Sequence, residues 1–162
     1  MKNKRLFYFL MFLPLLSVLI SLQFLPDQIP AHYGITGEVD RWGSKYEVFI
    51  FPGITIIFGL VILIITKYAA KQEKDGNNNQ KIGFTTGILL LLLFNIMTFY
   101  FLYTDIIKAE NLAVVFIDPM QLIFISLGMI IMIIGNIMPK VKMNSMIGLR
   151  TTWSMKNEIT WR

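Results

Sequence analysis

The sequence predicts an all-α fold, an integral membrane bundle of four transmembrane helices with a short extracytoplasmic motif and a cytoplasmic amphipathic C-terminal segment. Three observations carry that reading. First, 55% of the 162 residues are hydrophobic and only 15% are charged, where a soluble domain carries about 25% charge. Second, four apolar segments reach the roughly 20 residues that a helix needs to cross a hydrocarbon core. Third, Lys and Arg fall in alternate connections: twelve lie before segment one, between segments two and three, or after segment four, against three in the other two loops. Cationic loops stay in the cytoplasm, so both termini are expected there, in a multi-pass protein of the cell membrane.

The segments are 6–25, 48–66, 84–103 and 120–138. The first follows Lys2, Lys4 and Arg5, as a signal peptide would, but this apolar segment of twenty residues exceeds a cleavable core of about 7 to 15 and no small-residue cleavage site follows. It is read as a retained span. The second, VFIFPGITIIFGLVILIIT, is strongly apolar even with Pro52 and Gly53 discounted. In the third, Asn95 is a polar interruption expected to hydrogen-bond between helices. The fourth starts at Asp118-Pro119, because Asp as N-cap before Pro is a helix start signal; 112–117 is left at the interface. The expected units are a helical hairpin over 1–66, a cytoplasmic linker over 67–83 including the polar run KQEKDGNNNQK, a second helical hairpin over 84–138, and a tail over 139–162.

Between the first two spans lies LPDQIPAHYGITGEVDRWGSK, 25–45. Pro26 and Pro30 stop the helix, and Gly34 and Gly37 permit turns, so the backbone folds back at the membrane surface. Two accounts remain open: an interfacial anchor with Trp42 at headgroup level, or a recognition surface using His32, Asp40, Trp42 and Lys45. His32 is the one histidine in a chain without cysteine, a poor basis for a metal site even with Asp27, Glu38 and Asp40 nearby. It is expected to be a loop histidine bonded to backbone.

The second polar concentration is GNIMPKVKMNSMIGLRTTWSMKNEITWR, 135–162. Pro139 ends the last span, and Lys140 and Lys142 suit both the helix dipole and anionic headgroups. Gly148 permits a turn before Arg150. Ser154 is expected to cap a short helix with Met155 and Ile159 on one face, and Trp153 and Trp161 fit the interface. Alternatively, buried Asn136 and Arg150 form a polar cluster with Glu158 under the bundle.

Together the two stretches resemble a known pair of motifs. The first, with its LP, IP, His, Gly, Asp-x-Trp and Ser-Lys pattern, is similar to the extracytoplasmic motif of a widespread bacterial domain of unknown function. The second is similar to the signature of the SdpI family, which runs Gly-Asn, Pro-Lys, Asn, Gly-Leu-Arg-Thr, Trp, Glu and Trp. The resemblance implies a membrane immunity protein that binds or neutralises a secreted toxin peptide, one that collapses the proton-motive force. It also implies signalling, by retention of a transcriptional repressor at the membrane. Carried over by position, the extracytoplasmic binding residues are Pro30, His32, Gly37, Asp40, Trp42 and Lys45. The cytoplasmic binding or signalling residues are Asn136, Pro139, Lys140, Asn144, Gly148, Leu149, Arg150, Thr151, Trp153, Glu158 and Trp161. Thr152 stands where the family usually has Pro. Family members also continue past the final Trp into further spans, so a chain shortened relative to the family is expected.

Other functions find less in the residues. The spans as drawn hold no Lys, Arg, Asp or Glu, the usual marks of a transporter or ion pathway. No enzyme is expected, since one histidine outside the spans and no cysteine leave little for catalysis, and no cofactor is implied. An accessory subunit packing through a face such as Gly53 to Gly59 remains a rival. The net charge of +5 sits beside apolar runs and not in a stripe with interleaved aromatics, so the lipid bilayer, not nucleic acid, is the expected partner.

Overall fold

The computed structural model describes residues 2–72 and 77–161. Four helices in it are long and apolar enough to cross a membrane, and the protein is an all-α membrane bundle carrying one small strand pair. Helix α1, Lys2–Ser21, leads into strands β1, Gln28–Tyr33, and β2, Val39–Ser44. A 3-10 turn over Lys45–Phe49 then opens α2, Ile50–Lys71. Helix α3, Asn77–Ile106, returns across the bundle, and α4, Pro119–Ile137, runs back again. A tail of turns ends in the short α5, Glu158–Trp161. The hairpin therefore sits at one end of the bundle and the tail at the other.

Several local signals act as expected. Asp118 caps α4, its carboxylate accepting from the amides of Met120 and Gln121 at 2.8 and 3.2 Å, with Pro119 in the first turn where its missing N–H costs nothing. Asn95 joins α3 to α1, its amide donating to the carbonyls of Leu10 at 2.9 Å and Leu91 at 2.7 Å. Its Oδ1 is buried and has no partner among the described residues. Lipid offers little hydrophobic drive between helices, so close approach of backbones and interhelical bonds must hold them. Gly87 of α3 supplies such an approach, since a Cβ there would meet the Phe7 ring and Ile62; Gly59 of α2 faces Met11 in the same way.

The first core cluster gathers Phe7, Leu10 and Met11 of α1, Leu63 of α2, and Phe84 and Leu91 of α3. Phe7 meets Phe84 edge to face at 5.4 Å, a favoured aromatic geometry. A second cluster, Val18, Leu25, Ile29, Val48 and Leu102, seats the hairpin on the helix ends. Helix α4 leans on α3 and leaves Phe124, Ile125, Ile131 and Met132 exposed, the surface a bilayer would cover.

Two expectations are corrected by the structure. The turn-rich stretch is a β-hairpin: Ile29 pairs with Gly43, Pro30 with Trp42 and His32 with Arg41, with irregular register around His32. The polar run read as a linker is helical from Asn77 onward, because Asn79 is fully buried against the tail. Of the Gly53 to Gly59 face, Gly59 is covered by Met11 within the bundle and Gly53 is left open.

Candidate functional site

The hairpin is fixed by bonds far apart in sequence. In its loop, Gly37 adopts φ 81°, Gly34 N donates to Glu38 O at 2.8 Å and Gly37 N to Gly34 O at 2.9 Å. The connection between α3 and α4 then closes on this edge: Leu112 N donates to Gly37 O at 2.8 Å, and Val39 N to Glu110 O at 3.0 Å. Glu38 and Asn111 form an isolated antiparallel bridge. Tyr33 Oη donates to Ala109 O at 3.0 Å, and partial burial pushes its phenol above the ordinary range.

The charged groups of the hairpin are disposed as pairs. His32 Nδ1 lies 2.6 Å from Asp40 Oδ1, so its partner is a carboxylate and not the expected backbone; the bulge brings the two strands' side chains to the same face. Lys45 Nζ donates to Asp27 at 2.8 Å, and that hydrogen bond holds the Asp27 carboxyl below the usual range. Arg41 donates to both oxygens of Glu47 at 3.2 and 2.9 Å, and the bond raises its guanidinium further. This last pair crosses Gly43, where a Cβ would collide with Glu47 and Ala31. Trp42 stands exposed opposite the buried Pro30. Among the described residues no three His, Asp or Glu side chains converge as metal ligands would.

Beneath the hairpin a cavity of about 560 Å³ opens between β1 and the facing ends of α2, α3 and α4. Pro30, His32 and Gly37, three of the residues expected to bind, line its roof, while Phe51, Phe101, Leu102 and Ile123 form apolar walls. Asp40, Trp42 and Lys45 lie outside it on the hairpin's outer face. Asp105 also lines the cavity and is 4% exposed. Sequence reasoning missed it because the third span was ended at residue 103, whereas α3 runs on to Ile106. Missed too were Glu47 and Tyr33, whose roles depend on partners that spacing does not reveal.

At the far end the tail is held to the α2–α3 junction. Asn79 Oδ1 accepts from Lys142 N at 2.9 Å, and its amide donates to Lys142 O at 3.2 Å. Gln72 binds Ser145 through both its amide atoms. Asn144, buried, caps its own turn by accepting from Met146 N and Ile147 N. Gly148 takes φ 112° beneath the Trp161 ring, and Trp161 Nε1 donates to Val141 O at 2.7 Å. Trp161 thus straps the tail, while Trp153 is 69% exposed. Thr151 and Ser154 exchange side-chain to backbone bonds. Pro139, Lys140, Glu158 and Trp161 border a small recess.

Two expectations about the tail fail. Ser154 does not cap the last helix; Asn157 does, accepting from Ile159 N and Thr160 N at 3.0 Å, and Met155 and Ile159 are both exposed. Asn136, Arg150 and Glu158 do not gather in a buried cluster. All three are exposed, because the bonds through Asn79 and Gln72 draw the tail toward α2 and α3 and leave the end of α4 uncovered.

The family described as "Domain of unknown function (DUF1648)" matches residues 9–56, a stretch holding most of α1, the whole hairpin and the start of α2. The chain is also 25% identical over all 162 residues to "Immunity protein SdpI" of Bacillus subtilis, covering 72% of that protein. An "Uncharacterized protein" of Archaeoglobus fulgidus is 45% identical over 49 residues, 30% of this chain and 27% of its own length. No solved structure matches. The DUF1648 domain and the whole-length likeness agree with the SdpI family resemblance read from the motifs, and the four long apolar helices agree with a multi-pass membrane protein.

Proposed function

We propose that this protein confers immunity on a bacterial cell by binding a secreted, membrane-active toxin peptide at the hairpin end of its bundle. The whole-length likeness to an immunity protein supports the role. The observation that carries the location is the hairpin itself: Pro30, His32 and Gly37 roof an apolar cavity at the end of the bundle, while Asp40 and Trp42 stand exposed on the hairpin's outer face. An amphipathic peptide lying in the interface presents the matching combination of cationic and apolar faces. Binding suffices to protect, and no bond is made or broken. The bias of Lys and Arg supports a hairpin outside the membrane and both termini in the cytoplasm.

A signalling role at the other end rests on a second observation. The turn of Gly148 is fixed by Trp161, yet Leu149, Arg150 and Trp153 beside it project freely, Leu149 being 77% exposed. A rigid turn presenting an apolar, a cationic and an aromatic side chain suits a protein partner, and a transcriptional repressor held at the membrane is the partner the family resemblance implies. Ligand at the hairpin would alter that contact only by binding one arrangement of the bundle better than another.

Expression in toxin-sensitive cells tests both. The wild-type chain is expected to restore survival, Trp42→Ala to lose most of that protection at equal protein level, and Arg150→Ala to keep protection while losing repressor retention. Killing undiminished by the wild-type chain would defeat the immunity reading.

A further inference from the structure

The cavity holds three carboxylates with different commitments. Glu47 is paired with Arg41, and Asp118 is spent on the first amides of α4. Asp105 is as buried as the core, lines the cavity, and has no hydrogen bond or ion pair to its carboxylate among the described residues. An acidic side chain left unpaired in an apolar, membrane-embedded setting is costly, and such residues face cavities where a partner arrives. Phe51 and Phe101, stacked at 5.1 Å with planes 20° apart, share the same cavity. Aromatic faces beside a carboxylate are the surroundings in which organic ammonium groups are bound, because both attract a cation that has left water. The remaining walls, Val48, Leu102 and Ile123, suit an alkyl chain, and the volume lies within the range of small-ligand sites, about 300 to 1,000 Å³.

We infer that the cavity is an ammonium-binding site, with Asp105 as counter-ion and the stacked phenylalanines beside it, and that its occupant is the lysine side chain of an apolar peptide segment. The inference rests on reading the hairpin end as the toxin-binding end and specifies which chemical group enters it.

The probe is n-hexylammonium, with hexan-1-ol as its uncharged analogue, titrated calorimetrically into the full chain in dodecylmaltoside, a detergent without amines. The wild type is expected to bind the ammonium saturably and at least tenfold tighter than the alcohol. Asp105→Asn is expected to erase the preference by weakening ammonium binding at least tenfold. Ile123→Trp fills the cavity from α4 and is expected to abolish both, so the result stands even where the Asp105 variant does not fold. Absence of saturable ammonium binding by the wild type overturns the inference, as does a preference that survives Asp105→Asn or Ile123→Trp. Protection of cells is read separately: a chain that protects without binding the ammonium sinks this inference alone, and one that binds without protecting sinks only the immunity reading.

Discussion

Asn79, at the start of α3, and Lys142, in the tail, exchange two hydrogen bonds, so that the side-chain amide of one pairs with the peptide group of the other as a neighbouring strand would. Asn79 is fully buried, and removing it strands the amide of Lys142, whose carbonyl keeps only the bond from the Asn144 side-chain amide at 2.8 Å. Asn79→Ala is expected to lower stability by about 1 to 3 kcal/mol, and limited trypsin digestion is expected to cut the tail at least several-fold faster with the helices intact. Equal digestion of the two proteins would show that the tail is held by other means.

The glycines of the spans are expected to differ sharply in tolerance. Gly87→Ala forces a methyl into the Phe7 ring and Ile62, an overpacking that costs about 1 to 3 kcal/mol. Gly53→Ala meets nothing within 4 Å and is expected to be neutral or mildly stabilising, since Ala favours helix over Gly by up to about 1 kcal/mol. Unfolding midpoints in mixed micelles compare the two directly.

The pH response of the hairpin follows from Asp27. Its carboxyl is lowered in the folded protein, first by the hydrogen bond from Lys45 and then by that residue's charge. The pair's contribution is therefore complete above the ordinary aspartate range and is lost only as pH falls through the lowered value. Exchange of the Lys45 amide, which donates to Asp27 O at 3.1 Å, is expected to show no opening linked to this pair between neutral and mildly acidic pH, and faster opening in strong acid. Asp27→Asn should remove the acid step; its persistence would assign the step to another group.

Topology is open to a direct measurement. Thr36 and Thr152 are both exposed, in the hairpin loop and in the tail, and the chain has no native cysteine. In intact cells Thr36→Cys is expected to react with an impermeant thiol reagent and Thr152→Cys only after lysis. Equal labelling would undo the assignment of the hairpin to the outside.

What could be read from the sequence was whatever depended on neighbours along the chain. Hydropathy locates the four helices, though α3 begins seven residues before the apolar segment and α2 runs five beyond it; Asp118-Pro119 marks the start of α4, and Asn95 announces an interhelical bond. The hairpin escaped because its prolines and glycines look like turns, and because its edge is completed by residues 109–112, more than seventy positions later. Asn77 to Asn79 carry no apolar stripe, so only contact with the tail reveals their helix. Asp105 was lost for a related reason: a polar side chain ends a hydropathy window, whereas a helix ends where its backbone bonds run out. Ser154 and Asn157 are both competent caps, and the exchange of bonds between Ser154 and Thr151 decides between them.

The bonds from Val39 and Gly37 to residues 110–112 have a mechanical side. That short connection leads straight into α4, which rests on α3 and is otherwise the most loosely gripped of the four spans. Whatever lifts or tilts the outer strand pulls on the rod least able to resist, and the far tip of that rod is where Pro139 and the tail begin. A displacement of the strand pair would therefore reach the opposite end of the bundle along a single helix.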